Sequence, residues 1–309
     1  MKTMQALIKR EFFEGYNGYF WTPVVLLAVT LTVALAAALG IKGGIIHIDD
    51  IIIQNISNLS EALERAKAEE GTELPYAIAM AYTSLSMPAW IAFPFVVFFS
   101  LLDSLYEERR DRSILFWKSM PVADWQEVLA KLVMPVLGAP VIFMAVTIVA
   151  QLSIAVILSV IVLFQGGPVT ELWPLGVLVS GWAGSLASYL IYALWAAPVL
   201  CWILLVSAYA RRMPFLLAIL PPVVLIVVEE IFFSSSRFAN WLGYHLGGWA
   251  KDSFFADRDI SGPLDLHHNM VDSTWKSFTG SAVQGEFWFG LVVAAAFYFG
   301  AVELRKRAL

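Results

Sequence analysis

The chain has 309 residues, 59% of them hydrophobic and only 15% charged, with a formal net charge of −5 and a mean hydropathy of +0.73. A soluble domain carries about 25% charged residues, so this composition excludes an ordinary globular domain and indicates an integral membrane protein. One cysteine, Cys201, excludes an internal disulfide and reads as a small core residue.

Residues 1–19 are too polar to span a bilayer. Met4, Leu7, Ile8, Phe12 and Tyr16 recur at helical spacing, with Lys2, Lys9, Arg10, Glu11 and Glu14 assigned to the other faces. That pattern predicts an amphipathic helix on the membrane surface. Residues 20–41 follow as span 1, a full-length apolar run read as an anchor rather than a cleavable signal. Residues 42–85 form an outer segment. Within it, Ile52, Ile56, Leu59, Leu63 and Ala66 repeat in a 4-3-4-3 spacing, which predicts an outer amphipathic helix over about 50–70, stopped by Gly71.

Span 2 is placed at 86–106, kinked by Pro88 and Pro94. The densest charge cluster follows. Glu107, Glu108, Arg109, Arg110, Asp111 and Arg112 run directly into Ile114, Leu115, Phe116 and Trp117. After Met120-Pro121, Asp124 and Glu127 stand three apart, as in a capping box with Asp in the first place. Span 3 is placed at 132–164, in a charge-free run of 39 residues. The next segment, 165–187, reads as an outer stretch with a surface or re-entrant helix, and span 4 as 188–209. Arg211-Arg212 precede span 5 at 213–233. An aromatic-rich outer segment covers 234–286, and span 6 at 287–302 leads into Arg305-Lys306-Arg307. The fold class is therefore all-α, with six transmembrane helices.

Thirteen of the 20 basic residues fall in the N-terminal stretch, residues 106–131, Arg211-Arg212 and the C-terminus. The positive-inside rule then predicts both termini in the cytoplasm of a multi-pass protein.

Chemical signatures are few. The chain contains no G-x-x-x-x-G-K-[ST], no H-E-x-x-H, no G-x-S-x-G and no C-x-x-C, so no catalytic set and no nucleotide site of its own is expected. His267 and His268 beside Asp265 and Asp272 match no metal-ligand spacing and read as solvated loop residues. No cofactor, metal or nucleic-acid partner is expected. Glu229 and Glu230, near the outer end of span 5, either mark a helix end or line a translocation path. Asp103 in span 2 poses the same question, because charge inside a span is costly. An ion-coupled secondary transporter using Asp103, Glu229 and Glu230 is the alternative function.

Leu7-Ile8-Lys9-Arg10-Glu11-Phe12, Trp21-Thr22-Pro23 and the stretch from Leu105 to Val122 resemble the permease subunit of type-2 ABC exporters. That resemblance implies a coupling helix after span 2 that docks on a separate ATPase subunit. It also implies two ATPase copies binding ATP and Mg, a second permease forming a homodimer, and a place in the cytoplasmic (inner) membrane. The docking residues would be Glu107, Glu108, Arg109, Arg110, Asp111, Arg112, Ile114, Phe116 and Trp117. The expected role is export of a hydrophobic or amphipathic substrate. The outer helix near 50–70 and the length of 234–286 depart from the family pattern.

Overall fold

The computed structural model describes residues 2–38, 59–248, 279 and 285–308. Among these the chain is helical, with no strand, and six helical stretches are long and apolar enough to cross a membrane. The protein is a multi-pass, all-α membrane protein.

Helix α1, Lys2–Glu14, is the expected surface helix, with Leu7 buried and Ile8 and Phe12 packed on the core. A π-helical turn, Asn17–Trp21, leads into α2, Thr22–Ala38, with Pro23 in its first turn, where its missing N–H costs nothing. Helix α3, Leu59–Glu70, covers the later part of the expected amphipathic helix. Leu63 is buried against Val162 and Leu172, while Glu61, Glu64 and Arg65 are exposed. Gly71 follows with φ of +49°, a left-handed conformation that glycine adopts without Cβ strain. The predicted part of this helix before Leu59 lies outside the described residues.

Helix α4, Leu74–Arg110, is longer than the span expected at 86–106 and includes residues placed in the outer segment. At 1.5 Å per residue its 37 residues extend about 55 Å, against roughly 30 Å of hydrocarbon, so it outreaches the bilayer or tilts within it. Pro88 and Pro94 sit inside it without ending it, because packing on neighbouring helices holds the flanking turns. A short helix α5, Ile114–Lys118, comes next, then α6, Asp124–Val133. Pro135 removes one backbone donor, and the chain answers with a π-helical turn, Met134–Gly138, before α7, Ala139–Phe164. The helical stretch that carries span 3 thus starts at Asp124, eight residues before the expected span boundary.

Helix α8, Leu175–Trp195, and helix α9, Ala197–Tyr209, divide the chain at other points than the expected outer stretch with its surface or re-entrant helix over 165–187 and span 4 over 188–209. The break falls at Ala196, and its cause is Pro198, whose ring and missing N–H interrupt the ladder. Helix α10, Pro214–Phe233, follows a left-handed Met213 and remains exposed along most of its length. Helix α11, Arg237–Gly243, a π-helical turn Tyr244–Gly248 and the last helix α12, Gly285–Arg307, complete the described chain.

Helix α9 is the centre of the packing, held between α4, α10 and α12. Leu101, Leu102 and Leu105 of α4, Val128 of α6, Phe143 of α7, Leu204 of α9 and Ala301 of α12 form one dense core. In a bilayer such contacts work through van der Waals packing and interhelical hydrogen bonds rather than escape from water. Gln151 of α7 supplies three of these bonds. It donates to the Tyr82 carbonyl (3.3 Å) and Ser86 Oγ (3.2 Å) and accepts from Trp182 Nε1 (2.6 Å), tying α4, α7 and α8 together. Each is worth about 0.6 kcal/mol.

Both described chain ends, the α4 C-terminus and the α9 C-terminus meet at one end of the bundle, here the proximal end. The contacts that show this join Arg109 to the Ala210 carbonyl (2.9 Å) and Lys118 Nζ to the Lys306 carbonyl (3.1 Å). Helix α3 lies at the distal end, where Lys67 pairs with Glu171 (2.7 Å).

Candidate functional site

At the proximal end four helices bring charged side chains into one buried lattice. Glu108 lies near the C-terminus of α4. Its carboxylate accepts from Arg305 (2.5 Å), Lys131 (3.0 Å) and Arg10 (3.3 Å). Lys131 of α6 also donates to Glu11 of α1 (3.0 and 3.2 Å). Arg305 of α12 pairs with Glu127 of α6 and, at 3.4 Å, with Asp124. Arg10 pairs with Glu11 and with Glu14 (3.5 Å). Lys131 and Arg305 are 1% and 2% exposed, and Glu127 is 2% exposed, so the charges stand out of water. Separating them there leaves an uncompensated buried charge, costing about 3–5 kcal/mol.

The local sequence explains this convergence. Glu11 falls four residues after Leu7, on the apolar face of α1 rather than off it. Glu127 and Lys131 are one helical turn apart and share a face of α6 with Val128. Asp124 does not cap α6. Ala123 holds the cap position in an extended conformation, with no side-chain capping bond, and Asp124 turns to Arg305 instead. Glu14 is the half-exposed member of the group. Burial, together with the neighbouring Glu11 carboxylate, raises its pKa.

On this lattice rests the stretch expected to be one docking helix over 107–117. The structure divides it. Helix α4 ends at Arg110, Arg112 takes a left-handed φ of +59°, and α5 is a separate helix of five residues. Glu108 is a lattice member and not a solvent-facing rim. Arg109 donates to the Ser207 and Ala210 carbonyls, placing a cation at the α9 C-terminus, where the helix dipole favours it. Ile114 is 5% exposed and points into the protein. The Trp117 ring lies 4.1 Å from the Arg10 guanidinium, a cation–π contact worth about 0.5–2 kcal/mol. The members left facing outward are Glu107, Arg110 and Asp111, paired among themselves at 3.0–3.1 Å, together with Arg112 and Phe116. Leu115 (57%), Phe116 (61%), Met120 (41%) and Trp125 (49%) are exposed in and beside α5.

The second pair of predicted site residues resolves differently. Glu229 accepts from the backbone N–H groups of Arg237 (2.9 Å) and Phe238 (2.8 Å) and from Ser235 Oγ (2.9 Å). It closes the turn between α10 and α11, a carboxylate meeting the free N–H groups of a helix start. Glu230 is exposed, and Asp103 faces a cleft beside α4. His267, His268, Asp265 and Asp272 lie outside the described residues. Among the described residues no group of His, Cys, Asp or Glu has a metal-holding arrangement. Cys201 is buried in the core.

Comparison with family models, with curated proteins and with solved structures finds no match.

Sequence reasoning placed Lys131 at a helix start and Arg305 in a terminal basic cluster, and missed that both are buried. The available signal was helical spacing: Glu11 on the Leu7 stripe, and Glu127–Lys131 at i,i+4 beside Val128.

Proposed function

We propose that the chain is the membrane-spanning permease subunit of an ATP-driven transporter of the type-2 ABC exporter kind. In this reading a separate ATPase subunit docks on α5, and the proximal end faces the cytoplasm of an inner membrane. Two copies of the chain and two ATPase copies make the transporter, and ATP and Mg belong to the ATPase. The substrate is hydrophobic or amphipathic and the direction is export. The observation that carries the reading is the pairing of an exposed apolar patch with a rigid charged base. Leu115, Phe116, Met120 and Trp125 present large apolar groups outside the predicted hydrocarbon spans, the residue types that anchor interfaces. Beneath them the lattice of Arg10, Glu108, Glu127, Lys131 and Arg305 joins α1, α4, α6 and α12, so a push on α5 is delivered to four helices together. With no nucleotide-binding loop in the sequence, energy has to enter through such a contact.

The lattice also gives a route for the push. Ile114 seats α5 in the protein, Trp117 covers Arg10, and Lys118 holds the carbonyls of Lys306 and Ala308. Of the carboxylates the ion-coupled alternative draws on, Glu229 is already engaged by two backbone donors, Glu230 is exposed, and Asp103 alone lines a cleft.

The test is copurification with a candidate ATPase subunit. Phe116→Ala removes one exposed anchor and should lower association by about 2 kcal/mol, near thirtyfold, with the permease folded and inserted. Ile114→Ala, at a buried position, should instead destabilise the permease itself by about 2–4 kcal/mol. Wild-type ATPase recovery and transport in Phe116→Ala combined with Trp125→Ala would remove the support for docking at α5.

A further inference from the structure

A cleft of about 860 Å³ opens between the α1–α2 junction and the proximal part of α4. Its two ends differ in chemistry. The upper wall is apolar and aromatic, from Ala92, Phe95, Val96 and Phe99, and Phe95 and Phe99 are 62% and 48% exposed. The lower end carries the carboxylates of Glu11, Glu14, Asp103, Glu107 and Glu108 against a single amine, Lys131. Lys131 is committed to Glu11 and Glu108, and Arg110 pairs with Glu107 at 3.1 Å. Asp103 makes no ion pair or hydrogen bond among the described residues. It stands seven residues before the end of α4, about 10 Å along the helix axis, one turn from Glu107 and within the influence of Arg110.

Asp103 is exposed on the cleft side of α4, and a carboxylate there with no ion pair of its own can receive a cation that enters with the ligand. The volume matches that of small-molecule sites, which run from about 300 to 1,000 Å³, and is far larger than a bare metal ion needs. The aromatic wall excludes a ligand that is only charged, and exposed rings favour a diffuse cation over their faces.

We infer that this cleft binds an amphiphile with a cationic head and an apolar body, the head beside Asp103 and Glu14 and the body along Phe95 and Phe99. The inference names the substrate class of the transporter proposed above and rests on that reading for its transport consequence. Binding itself requires no ATPase, so the two fail separately.

The experiment uses the purified full chain in lipid nanodiscs and two probes of equal shape and opposite charge, tetraphenylphosphonium and tetraphenylborate. Saturable binding of the phosphonium is expected, at least about tenfold tighter than that of the borate. Asp103→Asn should weaken it about tenfold and Glu14→Gln should weaken it further in combination, while Asp103→Glu keeps it. Glu303→Gln, at an exposed carboxylate away from the cleft, should change nothing. Dodecyltrimethylammonium should displace the probe at concentrations about a hundredfold below tetramethylammonium, which has the head without the tail. Equal affinity for the two probes, or wild-type binding in the Asp103→Asn, Glu14→Gln double variant, would overturn the assignment. Equal potency of the tailed and tailless competitors would reduce the cleft to a simple cation site and overturn it as well.

Discussion

Arg305 shows what a single residue does here. Its guanidinium meets Glu108, Glu127 and Asp124 from the last helix, and it is nearly inaccessible to solvent. Replacing it with Gln leaves Glu108 and Glu127 buried with less positive charge than they need. Arg305→Gln should therefore lower stability by about 3–5 kcal/mol, read as a large fall in the thermal midpoint of the purified protein. Adding Glu108→Gln removes one orphaned charge and should recover part of the loss. A single variant as stable as the wild type would mean that the lattice is not a structural unit. Glu14 behaves in the opposite sense. Its pKa is raised, chiefly by burial, so the folded state binds the proton more readily than the unfolded one. Its ionisation thus works against folding above the raised pKa, and the penalty disappears as pH falls below the ordinary value of 4.5. Glu14→Gln should raise the thermal midpoint at neutral pH and lose that advantage in acid. A variant that is less stable at neutral pH than the wild type would show that the contacts of Glu14 with Arg10 and Lys131 outweigh its burial.

At the scale of elements, the break between α8 and α9 is sealed by a neighbour. The Trp195 carbonyl, freed by the interruption at Ala196, accepts from His245 Nδ1 at 2.8 Å, and Trp195 Nε1 donates to the Tyr244 carbonyl at 2.8 Å. The imidazole is fully buried, and burial holds its pKa below the ordinary value, so the ring is neutral. Its Cε1 and Nε2 atoms lie against Gly290 of α12. A Cβ there would lie 2.4 Å from His245 Cε1, nearer than any real contact, with Pro198 behind it at 3.2 Å. Gly290→Ala should cost about 1–3 kcal/mol and loosen α12 from the α8–α9 break, seen as faster hydrogen exchange at 244–248. Unchanged exchange there would show that the ring moves aside freely. Elements of this kind mark the limit of sequence reading. The stripes of α1 and α3 were legible because period and polarity agree, and Leu7 and Leu63 are buried as their spacing implies. The α8–α9 break was not, because Pro198, about two-thirds of the way along the charge-free run 172–210, does not reveal whether the chain bends, re-enters or continues. The docking stretch was read as a unit for a related reason. A charge run adjoining an aromatic run fixes neither which charges turn inward nor where a left-handed residue such as Arg112 divides the helix.

For the whole molecule, the described ends and the α4 and α9 C-termini share one face, which agrees with the side where basic residues collect. Reporters fused after Arg307 and within 107–125 should give the same compartment signal, and it should be cytoplasmic. Fusions within α3 should report the opposite side. A fusion in α3 that reported the same side as Arg307 would break the six-span arrangement, since α3 and the lattice lie at opposite ends of α4.

The lattice has a consequence for biogenesis. Its members come from residues 10 and 305 and from several between them, so α1 and α12, far apart in sequence, must meet before the charges balance. Until α12 arrives, Glu108 has only Lys131 and Arg10, and Glu127 has only a distant Arg10 at 3.9 Å. The nascent protein therefore carries an unbalanced acidic surface at its water-facing end until α12 has been made and docked. Such long-range closure is slow to form, and the exposed carboxylates give quality-control proteases and chaperones a chemical means to tell a chain in which α12 has docked from one in which it has not.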